Sequence, residues 1–591
     1  MSKFLLCSSG IGFSDNVDKS LGHGFSISTR NNNKDYHHVS YNKMNFDSKD
    51  CYISDVGKVS LVGSFVYKDQ NSERGLKYIL DDFLVNKDVS EIKRKMIGNY
   101  AITIEVDDGF YCFCDANDIF DVFYSLTDND WSISNNINDV VTSIEREVIP
   151  NKNAILETVV QNGILDNQTI FDAVFRVKGY EYLYFSEGSN CPEVKQHEII
   201  SFDFEEQENL DYPKEIIKEC SDVAKVISSA YENIAVCMTG GLDSRITLSS
   251  YLSVGAKPSL FYGVGNSGLT NTKNRDLDIV NLIKDEFNLD LRIMDWSVGD
   301  DVNSSWDNLI EKLGMLGGIY SGISNVHREL SEFKGETLVD FGYFGEPLRN
   351  VEALSAFDDD VFTLEQFIDD IYIDKNIKLS ISKKEYEEFR IYLFDKAKLI
   401  CERYGLNINS LNKNDYCKLH NEYRKSADTA LVNLMNYYCY SINLLSLPQV
   451  ETKVKQIPVK EKANSGLMLK VVNKLNPKLL SLPIFSHCRD CVFCNETYTL
   501  KLARDEALKE KLKGLSYKLG ISKALRSVYS KIKPNDNESL GRNGKIKQEL
   551  VAIYNSNSLN VCSMELFEGC DIRKISKYNF LMRMINTNSK R

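Results

Sequence analysis

The chain has 591 residues, 43% of them hydrophobic, with 31 Tyr, 29 Phe and a formal net charge of −13. That length exceeds what one core supports, so two or three domains are expected. The acidic balance argues against nucleic acid as a partner. No stretch approaches the roughly 20 apolar residues of a transmembrane segment.

The opening, MSKFLLCSSG, carries one Lys and an apolar run too short for a signal peptide. A cytoplasmic setting is therefore expected, and the 15 cysteines read mainly as reduced, buried thiols. Residues 1–200 read as short strands between turns: Lys3–Ser8, Gly24–Thr29, Val59–Tyr67, Tyr100–Val106, Phe110–Asp115 and Val122–Ser125. Helices are predicted near Ser72–Leu84 and Ile155–Asn162. Alternation along the strands is loose, which predicts burial by a second layer and an α+β layered domain. An acidic linker, Ser201–Asn209, precedes a helix over Tyr212–Tyr231.

An apolar, β-prone run from Asn233 then ends in Thr239-Gly240-Gly241-Leu242-Asp243-Ser244-Arg245. A helix (Ile246–Val254), a strand (Ser259–Val264), a glycine-rich turn, a helix (Arg275–Asn288) and a strand (Leu289–Asp295) follow. That βαβαβ order predicts a parallel sheet with crossover helices. A further strand end, Thr337–Asp340, leads into Phe341-Gly342-Tyr343-Phe344-Gly345-Glu346. Helices are expected at Phe357–Lys375, Lys384–Tyr404 and Asp415–Leu445, and a Lys-rich amphipathic helix over Lys501–Lys533. Pro534–Lys545 reads as a flexible connector. The division is 1–200, 205–533 and 534–591, the last a connector and small appendage.

The stretch around Thr239–Ser244 asks for phosphate. Gly240 and Gly241 lack Cβ, so the backbone can turn sharply and approach an anion. Loop amides and the new helix N-terminus converge where phosphate oxygens are stabilised. Thr239 and Ser244 can add hydroxyls, and Asp243 can hold a Mg²⁺ that bridges phosphates. No Gly-Lys-Ser/Thr follows, so this is not a Walker loop. Tyr262 and Gly263, at the next strand end, would flank adenine or ribose.

TGGLDSR resembles the SGGxDS loop of the ATP pyrophosphatases, with Thr239 where Ser is usual. Phe341–Glu346 looks like the second phosphate loop of asparagine and β-lactam synthetases. In that likeness Gly342 stands for its first Gly, Glu346 for its metal-binding Asp, and Tyr343 for a Tyr that helps deprotonate an attacking amine. The family's catalytic Lys before a Leu-Arg pair has no counterpart at the matching position. Lys460, Lys462 or Lys470 could serve, and Lys470 is the choice carried forward.

In the N-terminal third, Gly98-Asn99-Tyr100-Ala101 with Asp115, and Thr169-Ile170-Phe171 with Gly179, Tyr182 and Leu183, look like class II glutamine amidotransferase domains. The resemblance implies an αββα fold of the N-terminal-nucleophile (Ntn) type. That family's glutaminase uses a Cys after the initiator Met, and here the residue is Ser2. The domain is expected to have lost glutaminase activity, as in the β-lactam synthetase branch.

Together these resemblances imply an Ntn-type sandwich followed by a PP-loop α/β domain with a helical C-terminal part. They imply an AMP-forming ligase using ATP and Mg²⁺, with Asp243 and Glu346 as metal ligands. The acceptor would be a carboxylate on a small molecule, sugar or peptide. The donor would be ammonia or an amine, and an oligomer is compatible. Two alternatives stand beside it: a catalytically degenerate nucleotide-binding scaffold, and a PP-loop enzyme that thiolates RNA. The latter is suggested by Cys488, Cys491 and Cys494, which with His487 could ligate Zn²⁺ or an iron–sulfur cluster.

Overall fold

The computed structural model describes residues 1–204, 210–264, 271–296, 331–349, 361–373, 377 and 381–484, together with a few positions between 548 and 585. Within these ranges residues 9, 33, 34, 45, 49, 162, 334–336, 463 and 464 are not described. The Cys488, Cys491 and Cys494 cluster, the Lys501–Lys533 helix and the Pro534–Lys545 connector all lie outside the described residues.

The first 200 residues form two stacked antiparallel sheets with helices outside. The strands are β1 (Lys3–Cys7), β2 (Ile27–Asn32), β3 (His37–Tyr41), β4 (Cys51–Ser54), β5 (Gly57–Val66), β6 (Ile97–Val106), β7 (Gly109–Cys114), β8 (Phe123–Ser125), β9 (Ser132–Ser134), β10 (Phe175–Arg176), β11 (Glu181–Ser186) and β12 (Glu193–Gln196). They run β10-β8-β9-β1-β3-β2 in one sheet and β12-β11-β7-β6-β5-β4 in the other. Side chains alternate between faces with period two. Phe110, Cys112 and Cys114 of β7 enter the core with Phe4 and Leu6 of β1. Tyr111 and Phe113 turn to the other side. There they meet α2 (Glu73–Asn86) and α3 (Val89–Lys95), through Leu76, Ile79, Leu80 and Phe83. Both faces are apolar because both are covered, which is why alternation is weak in the sequence.

α1 (Gly10–Gly22), α4 (Ile137–Ser143) and α5 (Lys152–Gln161) cover the other sheet. Helix α1 escapes the sequence reading because three glycines depress its propensity. Gly12 is used for contact: a Cβ there would lie 2.9 Å from Ser143 Cα.

The second half holds a five-stranded parallel sheet. Helix α6 (Tyr212–Ala230) leads to β13 (Ile234–Cys237), α7 (Leu242–Ser253), β14 (Ser259–Val264), α8 (Asn271–Phe287), β15 (Leu291–Asp295) and β16 (Leu338–Asp340). The fifth strand, β17 (Tyr440–Ser441), arrives a hundred residues later, giving the order β15-β14-β13-β16-β17. From β13 the chain steps one way to β15, then returns to the far side of β13 as β16. The order reverses between β13 and β16, and that crevice is where such sheets hold ligands.

The helical part departs from expectation in two places. Over Phe357–Lys375 the described residues form a two-residue strand at Val361–Phe362 and then a helical stretch from Leu364 to Tyr372 capped by Thr363. The expected Asp415–Leu445 helix ends at Met435, and Tyr440 and Ser441 join the sheet instead. Every residue from Val432 to Ser446 is buried, so no polar face marks the change. Helices α9 (Lys383–Arg403), α10 (Lys413–Met435), α11 (Pro448–Gln456), α12 (Val459–Lys462), α13 (Gly466–Leu475) and α14 (Pro477–Ser481) complete the described fold.

A polar seam joins the halves. Ser441 N donates to Ser64 Oγ at 2.7 Å, Asn443 N to Asn99 Oδ1 at 3.0 Å, and Lys43 Nζ to Asn436 O at 2.9 Å. Lys396 pairs with the fully buried Glu157 at 2.8 Å. Buried groups of this kind are costly unless partnered, so the seam fixes register between the halves.

Candidate functional site

Two loops meet at the crevice. The first, Met238–Gly241, links β13 to α7. Gly241 is the N-cap residue of α7, and no side chain caps that end. The helix N-terminus is therefore open to an anion. The loop's own amides are engaged, however. Thr239 N donates to Ser244 Oγ at 3.2 Å, Gly241 N to Thr239 Oγ1 at 3.2 Å, and Gly240 N to Asp276 Oδ1 at 2.6 Å. Three of the loop's amides thus have protein acceptors. Asp276, from α8, stands where a phosphate oxygen was expected and also bonds the Tyr262 hydroxyl. Burial and then the Asp276 charge push the Tyr262 phenol pKa up.

Arg245, the last residue of the motif, faces away from the crevice. It is fully buried and donates to the carbonyls of Leu479 and Pro483 around the end of α14. Gly263 faces the Trp296 indole, and a Cβ there would come within 2.5 Å of the ring. Trp296 was missed because it follows the strand that neighbours Gly263 rather than Gly263 itself.

The second loop begins at Asp340, the last residue of β16. Its carboxylate accepts from Gly342 N at 2.9 Å, Leu444 N at 3.1 Å and the Tyr251 hydroxyl at 3.2 Å. Burial raises its pKa to about 6 against those donors. Gly342 takes a left-handed φ of +62°, and a Cβ there would stand 3.1 Å from Ser244 Cα. Glycine alone suits both the conformation and the contact. A Cβ on Gly345 would stand 2.4 Å from Asp243 Cγ, so the second loop's backbone lies directly against the first loop's carboxylate.

Glu346 follows. Arg349 Nη2 lies 4.0 Å from Asp243 Oδ2 and 3.8 Å from Glu346 Oε1, and Glu346 Oε2 lies 3.1 Å from His420 Nε2. Burial raises the Asp243 pKa, with Arg349 opposing and Glu346 adding. The sequence thus places Asp243 and Glu346 in one region, and the fold adds a guanidinium between them. Two carboxylates suit Mg²⁺, which takes few protein ligands and completes its shell with phosphate oxygens and water. Tyr343 is half-buried and stacks on Phe341 with centroids 5.5 Å apart.

Beyond Glu346 a small, narrow cleft, partly open to solvent, lies between elements distant in sequence. Pro347 and Arg349 come from the second loop, Cys417, Lys418 and His420 from α10, and Lys455 and Lys462 from α11 and α12. Lys462 is 2% exposed and burial lowers its pKa to about 8. Lys470 is exposed on α13 and does not line the cleft. Of the three lysines weighed from sequence, the fold brings Lys462 to the second loop. The sequence signal for His420 and Arg349 was absent, since each acquires its neighbours only through the tertiary fold.

Ser2 is fully buried, and its hydroxyl donates to Asn42 O at 2.6 Å. No cluster of three or more His, Cys, Asp or Glu positioned for a metal occurs among the described residues.

No family model matches this chain, and no curated protein matches it. Among solved structures it is similar to an allosteric regulatory enzyme of purine biosynthesis, at 9% identity over 49% of this chain and 74% of that one, with a TM-score of 0.22. It is similar to glutamine phosphoribosylpyrophosphate amidotransferase from B. subtilis complexed with ADP and GMP, at 9% identity over 54% and 86%, with a TM-score of 0.19. It is also similar to NMN synthetase from Francisella tularensis, at 9% identity over 37% and 94%, with a TM-score of 0.16. At these values the likenesses bear on neither the reaction nor the ligand.

Proposed function

We propose that this chain is an ATP-dependent, AMP-forming carbon–nitrogen ligase of the asparagine synthetase type. The observation that carries the reading is the seating of Gly345 against the Asp243 carboxylate at the sheet's reversal point, with Glu346 and Arg349 beside it. Asp243 and Glu346 would hold Mg²⁺, which supplies charge neutralisation of the phosphates. Gly240, Gly241, Thr239, Ser244 and the α7 N-terminus would hold polyphosphate once Asp276 gives way. Tyr262, Gly263 and Trp296 would border the nucleoside, and Gly342 keeps the second loop close.

An acceptor carboxylate oxygen attacks the α-phosphorus, and the bond to the pyrophosphate oxygen breaks. Ammonia or an amine then attacks the acyl carbon, AMP leaves with its oxygen, and the nitrogen loses a proton. Arg349 and the lysines of the cleft offset the negative charge that develops on oxygen. Tyr343 lies in the second loop, and its phenolate oxygen, formed once the phenol proton has passed to solvent, is the proposed proton acceptor. The buried Ser2, bonded to a backbone carbonyl, supports a nitrogen source other than hydrolysed glutamine.

The experiment is ATP–pyrophosphate exchange across a panel of carboxylic acids, comparing the native chain with Asp243→Ala. Exchange that depends on one acid and is abolished in the variant supports the reading. Nucleotide binding with no exchange for any acid would instead favour a scaffold, the reading that Asp276 in the loop independently motivates.

A further inference from the structure

The two carboxylates at the crevice are held in different ways. Asp243 lies in the first turn of α7, with the Gly345 backbone pressed against its side chain. Glu346 opens a three-residue turn, Glu346–Leu348, and its side chain is 26% exposed. A glutamate in that setting turns about several bonds and needs a partner to fix its oxygens. Arg349 approaches Oε1 at 3.8 Å, but its own side chain is 40% exposed, so solvent weakens the hold. His420 Nε2 approaches Oε2 at 3.1 Å from a buried position on α10. An ionised carboxylate only accepts hydrogen bonds, so Nε2 carries the proton and donates to Glu346.

The imidazole is anchored better than the carboxylate it meets. Its ring stacks on Tyr416 with centroids 5.7 Å apart, and the Tyr416 hydroxyl lies 3.5 Å from Nδ1. Tyr416 is fully buried and packs edge-on against Phe362 and Phe367. Further along α10, Glu422 lies 3.6 Å from Lys178 and Lys425 lies 3.1 Å from Asp118, both in the N-terminal domain. His420 thus stands on a helix pinned on either side of it. A carboxylate has about four lone-pair sites, so one hydrogen bond to Oε2 orients the group without filling it. We propose that His420 is a positioning residue for Glu346, fixing the carboxylate that would hold a divalent cation with Asp243. The cation rests on the ligase reading; the contact between His420 and Glu346 does not.

Mn²⁺ binding to the full chain without nucleotide, read by electron paramagnetic resonance, tests this with two amides. His420→Gln places an amide nitrogen close to where Nε2 stands. His420→Asn places one where Nδ1 stands, short of Glu346. His420→Asn should weaken Mn²⁺ binding about tenfold, the loss typical when a metal ligand forfeits its outer hydrogen bond, and His420→Gln should stay within about twofold of the native chain. Circular dichroism checks the fold of each variant. Should His420→Asn fail to fold, His420→Phe, which keeps the stack on Tyr416 and drops the donor, takes its place. Native affinity in the folded Asn or Phe variant overturns the proposal, because the contact is then dispensable. An equal loss in His420→Gln overturns it too, because His420 then only fills space, as does a native chain that binds no Mn²⁺. The expected difference between Asn and Gln, without pyrophosphate exchange for any acid, would retain the positioning role and reject the ligase reading. Exchange in the native chain with equal Mn²⁺ affinity in all variants would reject the positioning role alone.

Discussion

The Asp276 carboxylate accepts the Gly240 amide proton at 2.6 Å. A bond from a main-chain N–H to a charged oxygen contributes roughly 1.5–3 kcal/mol. Any polyphosphate entering the loop must replace that bond and tolerate the displaced carboxylate nearby. Asp276→Ala should therefore tighten pyrophosphate binding by about fivefold, corresponding to roughly 1 kcal/mol of relieved repulsion at a helix N-terminus. Isothermal titration calorimetry of both proteins with pyrophosphate checks this. Weaker binding in the variant would mean that Asp276 helps hold the ligand rather than excluding it.

Gly345 permits contact between the two loops. Gly345→Ala places a methyl 2.4 Å from Asp243 Cγ, so the carboxylate has to move. Overpacking of this kind costs about 1–3 kcal/mol of stability. The larger effect is on geometry, since displacing a reacting group by about 1 Å costs on the order of 10²-fold in rate. Exchange should fall by about that factor while circular dichroism stays native. Retention of full exchange would separate Asp243 from the chemistry.

Arg349 serves as the counter-ion to Asp243 and Glu346 at 4.0 and 3.8 Å. It is partly exposed, so solvent weakens the attraction. Arg349→Ala should raise Mn²⁺ affinity in the absence of nucleotide by roughly three- to tenfold, because a competing cation is removed. Electron paramagnetic resonance of free Mn²⁺ measures it directly. Unchanged affinity would argue that the two carboxylates do not share a metal.

Asp340 sets a pH dependence. Its folded pKa is raised from an ordinary value of 3.8 to about 6, so the folded chain binds more protons than the unfolded chain between those values. Stability therefore falls as pH rises through that window and levels off above it. Two units correspond to about 3 kcal/mol. Urea denaturation of the native chain and of Asp340→Asn at pH 4 and pH 7 isolates the effect. The native chain should lose stability relative to the variant on going to pH 7, whatever the substitution costs by itself.

The loop between β13 and α7 was readable from sequence because its signals are local. Apolar β residues, two glycines and a helix follow one another, and the fold keeps them as β13, turn and α7. The same holds for β14, α8 and β16. What stayed hidden depends on distance along the chain. Asp276 reaches Gly240 from 36 residues away, and His420 reaches Glu346 from 74. No periodicity encodes such a meeting. Tyr440 and Ser441 were hidden differently, since a segment buried on all sides shows no polar face to reveal whether it is strand or helix. Lys470 was favoured on its place in a resemblance. Lys462 reaches the cleft because α11 and α12 turn it inward.

The seam between the halves has a mechanical consequence. Phe341 N, in the second loop, donates to Asn443 Oδ1, and Asn443 N donates to Asn99 Oδ1 of β6. The N-terminal sandwich thus works as a splint for the second loop, acting through Asn443. Cutting the chain at the acidic linker would remove the splint, and the severed C-terminal piece would hold its second loop only by what remains of the sheet.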